Sequence, residues 1–318
     1  VDRDRIERHQ VWIYLAAIGA GLGVGSMLAG SAAAIAEALI WPTLGVLLYV
    51  TFLQVPLISL PVAGSRRFLA VVLVGNFVLI PVLVWALTTV AGLPPAVTLG
   101  VMLVLLVPCT DWYLSFTHLT GGDIAAAIAV TPLNLLLQLL LLPLYLWLLL
   151  GETFTDLLVV GTILTIFATI IAAPLLAAFA TERLAARHRT VAALQRRSGV
   201  LPVPLVATVV FLIATSQVNQ VTAAAPLLPA LTAVFGLFAA VAVAAGWLLA
   251  RGLRLSPRPA RAAVLSLDTR NSFVVLPLAL GLPEPWQPAA VVIVYQSLVE
   301  LLGLAALVWL IPRAIPGT

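Results

Sequence analysis

Two short polar runs interrupt otherwise apolar stretches of this chain: Val107-Pro108-Cys109-Thr110-Asp111-Trp112 and Leu267-Asp268-Thr269-Arg270-Asn271-Ser272. Each combines ionisable side chains with residues that break a helix or compete with its backbone, where hydropathy places the middle of a bilayer. An Arg or Asp at the centre of a membrane helix costs about 2.5–3.5 kcal/mol even on insertion scales, so such residues face a partner or a wet cavity and mark a pathway. The two breaks are therefore expected to face each other and form a transport site.

In the first run, Pro108 has no N–H to donate, and its ring frees a carbonyl four residues back. Freed backbone groups at membrane depth persist only when buried in protein or lining water. A simple proline kink recapped by Thr110 is the plainer alternative, but a kink does not require Asp111. In the second run, five consecutive polar residues would encircle a regular helix and meet lipid, whereas an unwound stretch aims them into one cavity. Arg270 is expected to pair with Asp111, Asp268 or Glu300, the carboxylates of the interior. A structural ion pair locking the two halves is one reading; an anion ligand is another. Three interior acids against one base favour a bound cation or proton carriage by a carboxylate.

Two helix-face pairs accompany the breaks: Asn134 with Gln138, and Gln296 with Glu300, each at i,i+4. Asn76 lies in the middle of an apolar span, where interhelical glue is the plainer role. His118 reads as interfacial. Trp12, Trp41, Trp85, Trp147, Trp247 and Trp309 lie nearer span ends and suit interfacial anchoring, whereas Trp112 sits at a break.

The elements that must position these residues are membrane helices. With 63% hydrophobic and 9% charged residues over 318 positions, the chain falls far outside soluble composition, where about 25% of residues are charged. Apolar stretches of about 18 or more residues can cross a core of roughly 30 Å. Ten are expected: Val11–Leu28, Ala38–Leu60, Phe68–Ala91, Val97–Leu119, Ile124–Leu150, Leu157–Thr181, Leu201–Val218, Leu228–Ala250, Pro259–Gly281 and Pro288–Ile311. The arginine-rich beginning resembles a signal peptide but reads as a retained first helix. Cys109, the single cysteine, cannot form an intrachain disulfide, and no structural metal site or cofactor is expected.

The chain has no lysine, and with ten spans fifteen of its sixteen arginines fall on one side, leaving only Arg270 inside. The positive-inside rule then puts both termini in the cytoplasm, as expected of an integral plasma (inner) membrane protein. The positive charge is thus topological, and no nucleic acid partner is expected. Ten spans divide into two inverted sets of five, each broken in its fourth member. Residues 1–181 hold the first five-helix repeat and end in the helix 157–181 that begins the second; 182–200 is a basic cytoplasmic linker; 201–318 carry the remaining helices.

These residues in this order resemble the bile acid/arsenite transporter superfamily. Pro108-Cys109-Thr110-Asp111, then Gly122-Asp123 and Thr131-Pro132-Leu133-Asn134 with Gln138, look like the fourth and fifth spans of the arsenite permease branch. Asn76 with Pro81 is similar to its third-span Asn-Trp…Pro signature, with Phe77 replacing Trp. Thr269-Arg270-Asn271-Ser272-Phe273 resembles the Ser-Asn-aromatic segment of its ninth span, and Glu300 stands in place of the tenth-span glutamate. The resemblance implies a panel-and-core fold with discontinuous, crossing helices 4 and 9, and it makes Cys109 a thiol able to hold As(III) transiently; a small buried apolar residue is the alternative. Asp111 and Arg270 depart from the arsenite branch. Against the bile-acid branch, Asp268-Thr269 is similar to Glu-Thr-Gly, Thr131 to a sodium-site threonine and Asn76 to a sodium-site glutamine. The sodium-site Ser-Asn pair, however, would fall on Tyr113 and Leu114.

The leading expectation is a secondary transporter, an arsenite or antimonite efflux permease coupled to proton entry, and not an enzyme. The alternative is a sodium- or proton-coupled symporter of a small organic anion. The expected substrate ligands are Cys109, Thr110, Asp111, Arg270, Asn271 and Glu300. The expected ion-coupling residues are Asn76, Asp111, Thr131, Asn134, Gln138, Asp268, Ser272, Gln296 and Glu300. The partners are a metalloid oxyanion or organic anion and the lipid bilayer, with a homo-oligomer left open. An aspartyl protease using Asp111 and Asp268 lacks a Gly-x-Gly-Asp element, and Arg270 beside Asp268 disfavours a proton-sharing dyad; a non-transporting sensor is a further alternative.

Overall fold

The computed structural model describes residues 3–27, 31–56, 65–110, 112–151, 165 and 167–317. Asp111, Glu152, Asp156 and the first residues of the expected span Leu157–Thr181 lie outside the described residues, as do Leu28 and Leu60 at the ends of two others.

The described chain is helical throughout. Among the described residues, seven helices are long and apolar enough to cross a membrane, or eight if the pair Arg189–Ser198 and Pro202–Ser216, bent by 51°, counts as one span. The first two helices are α1 (Arg3–Met27) and α2 (Ser31–Phe52). Next, α3 (Arg66–Val74) and α4 (Ile80–Ala91) are joined without interruption by a π turn, Gly75–Leu79. The short α5 (Pro95–Leu105) and α6 (Trp112–Leu119) precede the long α7 (Ile124–Leu150).

After a second π turn, Phe167–Ala172, come α8 (Ala173–Ala185), α9 (Arg189–Ser198), α10 (Pro202–Ser216) and α11 (Val218–Ala224). The chain continues through α12 (Leu228–Gly252), α13 (Pro257–Asp268), α14 (Ser272–Leu280) and α15 (Pro288–Ala314). The stretch Ile124–Leu150 is the helix expected from hydropathy. Ala38–Leu60 is not: α2 begins at Ser31 and ends at Phe52, because a run of alanines extends the helix past Glu37 despite that charge. The basic linker contains α9, and Gln195 Nε2 donates to the Leu53 carbonyl at 2.8 Å. With Arg189, Arg196 and Arg197 on ten residues, α9 suits a membrane surface rather than its interior.

The helices pack in two groups. In one, α10 lies against both α1 and α2, and α8 lies against α2. In the other, α12 packs on α13 and α4, and α15 on α5, α14 and α12. Large apolar side chains on the outer surface, among them Val78, Val82, Leu140, Leu144, Leu248 and Leu302, face the bilayer that such a surface requires. At the helix ends, the Arg251 guanidinium lies 5.2 Å from the Trp247 ring and that of Arg313 lies 3.8 Å from the Trp309 ring, letting each cation snorkel over an interfacial aromatic.

Among the described residues there is no sheet, and the β-type contact is an isolated antiparallel bridge between Pro108 and Arg270. It joins the gap between α5 and α6 to the gap between α13 and α14.

Candidate functional site

The two gaps cross and exchange backbone hydrogen bonds. Cys109 N–H donates to the Thr269 carbonyl at 3.0 Å, and Asn271 N–H donates to the Val107 carbonyl at 2.8 Å. Pro108 stands between these bonds, where a missing N–H leaves nothing unpaired. Each break thus satisfies backbone groups of the other, which is how extended chain persists at membrane depth. Asn271 then starts α14: its Oδ1 accepts from Val274 N–H at 3.3 Å, while its Nδ2 donates to Thr110 Oγ1 at 3.4 Å. Trp112 is buried edge-on against Phe273, with ring centroids 6.0 Å apart.

Arg270 is the largest fully buried side chain among the described residues, 1% exposed. Its Nη2 donates to Asn76 Oδ1 at 2.8 Å, the Ser266 carbonyl at 2.9 Å and the Leu267 carbonyl at 2.8 Å; its Nη1 donates to the Leu105 carbonyl at 3.2 Å. Leu105 ends α5, and Ser266 and Leu267 lie in the last turn of α13. The guanidinium therefore caps the negative ends of both half-helices, and it stands 5.6 Å from the Phe238 ring. The expected carboxylate pairing differs here. Among the described residues the acceptors of the guanidinium are neutral oxygens, on Nη1 and Nη2, and Nε has no hydrogen-bond partner. Glu300 instead binds the backbone, its Oε1 accepting from Arg270 N–H at 2.9 Å.

A second polar chain runs from there. Gln296 Nε2 donates to Glu300 Oε2 at 2.6 Å, and Ser272 Oγ donates to Gln296 Oε1 at 2.7 Å. Gln296 and Glu300 share one face of α15, as their spacing requires. A cavity of about 80 Å³ is lined by Asp268, Gln296 and Glu300 together with Phe235, Phe238 and Gly303. Asp268 is 4% exposed, and its Oδ1 has no hydrogen-bond partner among the described residues. On α7, Thr131 donates to the Ala127 carbonyl at 2.8 Å, while Asn134 and Gln138 are buried with no side-chain amide atom partnered among the described residues. A buried orphan polar group calls for a water or an ion.

The structure thus brings Cys109, Thr110, Arg270 and Asn271 to the crossing, places Asn76 against it, and connects Ser272, Gln296 and Glu300 in one hydrogen-bonded chain beside it. Asp111, in the first break, lies outside the described residues. Ser266 went unnoticed in the sequence: its Oγ accepts from Asn76 Nδ2 at 3.0 Å, and a lone serine two residues before Asp268 was its signal. The backbone acceptors and Phe238 have no such signal.

Two further cavities lie near the ends of α10 and α11. One, of about 210 Å³, is polar, with Glu37, Gln217, Asn219 and Gln287 on its wall. The other, of about 490 Å³, is apolar, with Leu227, Leu231, Trp286 and Val292. They share Gln220, whose Nε2 donates to Gln287 Oε1 at 3.3 Å.

The family described as the Sodium Bile acid symporter family matches residues 41–246, from within α2 to near the end of α12. The chain belongs to this family. The match places it within the bile acid/arsenite transporter superfamily and contains the first break, Asn76, Thr131, Asn134 and Gln138. No curated protein matches the chain. Membership makes it a secondary active transporter, an integral membrane protein with several spans, and not an enzyme. The family description favours a symport reading over arsenical antiport.

Proposed function

We propose that this chain is a sodium-coupled symporter of a small, amphipathic organic anion. The observation that carries the reading is the small cavity beside the crossing, lined by Gln296, Glu300 and Asp268, a carboxylate with one oxygen that has no hydrogen-bond partner among the described residues. Carboxylate and amide oxygens are hard donors suited to an alkali cation rather than to a soft metal. A cation held there offsets the charge of a bound anion and is released with it. Asn134, Gln138 and Thr131, on α7, form a second group of candidate ion ligands. The adjoining polar and apolar cavities at Gln220 suit a substrate with a charged head and a hydrocarbon body, entering beside Gln287.

Architecture supports this reading. Taking α3 with α4, α5 with α6, α11 with α12 and α13 with α14 as single crossings, and α10 as a crossing by itself, gives ten. These divide into inverted halves of five, each broken in its fourth member, as in carriers with midplane sites. The first half ends with α7; the second begins with the helix that contains α8 and continues, after the basic linker, over 201–318. Under this topology the arginines outside the site gather on the cytoplasmic side with both termini, in an inner or plasma membrane.

The test is uptake into reconstituted vesicles of a labelled bile salt and of short monocarboxylates. Inward sodium gradients should accelerate uptake of at least one of them, and a pH gradient without sodium should not. Uptake driven by pH alone, or none under either gradient, would remove the proposal.

A second reading, export of arsenite or antimonite against protons, rests on Cys109. Its thiol belongs to the crossing strand and is 3% exposed. Arsenite resistance that is conferred on a sensitive host and lost in Cys109→Ser would favour it.

A further inference from the structure

Nη2 of a guanidinium carries two protons, yet three oxygens stand within 2.9 Å of it: Asn76 Oδ1 and the carbonyls of Ser266 and Leu267. A fourth, the Leu105 carbonyl, reaches Nη1 at 3.2 Å. Nη2 is thus ringed by more oxygens than it has protons, as the coordination shell of a cation is, while Nε has no hydrogen-bond partner among the described residues. The oxygens come from three segments, the π turn of the α3–α4 span and the C-terminal ends of α5 and α13. The two helix ends each carry about half a negative charge. Ends of interrupted helices and unwound carbonyls are what hold coupling cations in carriers of this architecture. None of the four oxygens is itself charged, so the cage attracts a cation without fixing it as an ion pair would.

We infer that Arg270 is a tethered cation: its guanidinium fills an oxygen cage that would otherwise hold a free monovalent cation. The side chain stays with the protein through the transport cycle, so this position contributes charge to the crossing without consuming an ion from the gradient. Removing the guanidinium should turn the cage into a sodium site. The inference rests on the crossing geometry, and only its consequence for ion stoichiometry rests on the symporter reading.

The test is equilibrium binding of radioactive sodium to the purified protein in detergent. Arg270→Ala should bind one more sodium per chain than the natural protein, and added guanidinium chloride at millimolar concentration should displace that ion. Arg270→Lys, which keeps a tethered charge, should show no gain. Arg270→Ala combined with Asn76→Ala should lose the gain, because one of the four oxygens is gone. If Arg270→Ala aggregates in sodium-free buffer but is monodisperse in sodium chloride and not in N-methylglucamine chloride, the same cage has been filled. A folded Arg270→Ala protein with no added sodium, a gain that survives loss of Asn76, or aggregation that sodium does not reverse would overturn the inference. A natural protein that binds no sodium would sink the symporter reading alone, since the gain in Arg270→Ala would still be expected.

Discussion

Asn76 and Arg270, 194 positions apart, meet at 2.8 Å through the amide Oδ1 and the guanidinium Nη2, and the same amide donates through Nδ2 to Ser266 Oγ at 3.0 Å. One neutral side chain in the middle of a continuous span thus holds the second break from both sides of its geometry. It does so without adding a charge that would have to be moved or neutralised during transport.

Asn76→Ala should therefore remove one oxygen from the shell around the guanidinium and leave a serine hydroxyl without its donor. Loss of a buried partner costs about 1–3 kcal/mol. The expected outcome is a lower melting temperature in detergent, with transport slowed more than substrate affinity. Unchanged stability would mean that the crossing does not depend on this amide.

A second prediction concerns the α3–α4 span. Pro81 has no N–H for the carbonyl four residues back, which is that of Phe77, and Tyr145 on α7 donates its hydroxyl to this oxygen at 2.6 Å. Tyr145→Phe should destabilise the protein by about 1–3 kcal/mol, because nothing in a bilayer replaces the donor. Pro81→Ala restores an N–H, so Tyr145→Phe should cost clearly less in that background. Equal costs in both backgrounds, measured as a double-mutant cycle of thermal stability, would contradict this account.

Much of this was legible in the sequence and some was not, for identifiable reasons. Pro108 and the run Asp268 to Ser272 announce their interruptions because proline and consecutive polar residues cannot continue a lipid-facing helix. Gln296 and Glu300 announce a shared face by their spacing. The neutral coordination of Arg270 could not be read, since three of its four acceptors are main-chain carbonyls and every residue has one. The pairing of Tyr145 with Phe77 was equally hidden, as a tyrosine in a membrane helix commonly signals an interface. The polar residues Gln217, Asn219 and Gln220 look like a span end, and only packing against α2 and α15 makes them the wall of a cavity.

The close approach of α1 and α10 gives a third prediction. A side chain at Gly21 would collide with the Phe211 carbonyl and Ala214, and one at Gly25 with the Thr215 carbonyl and Val218, whereas Gly19 and Gly23 on the same helix face open space. Small residues four apart let membrane helices approach closely. Gly21→Val or Gly25→Val should abolish monodisperse protein in size-exclusion chromatography, while Gly19→Ala and Gly23→Ala should not change the profile. Tolerance of Gly25→Val would show that α1 is free to separate from α10.

Under the proposed symport, a sodium ion bound among Asp268, Gln296 and Glu300 moves together with an organic anion. The most direct test is the reverse flux: an outward-to-inward gradient of the transported anion, imposed on proteoliposomes without any sodium gradient, should drive accumulation of radioactive sodium. Glu300→Gln keeps an acceptor for Arg270 N–H but removes the charge, and should raise the sodium concentration for half-maximal flux about tenfold or more, given that charge-assisted contacts are roughly twice as strong as neutral ones. Anion uptake that carries no sodium with it, or a sodium dependence identical in Glu300→Gln, would contradict the account.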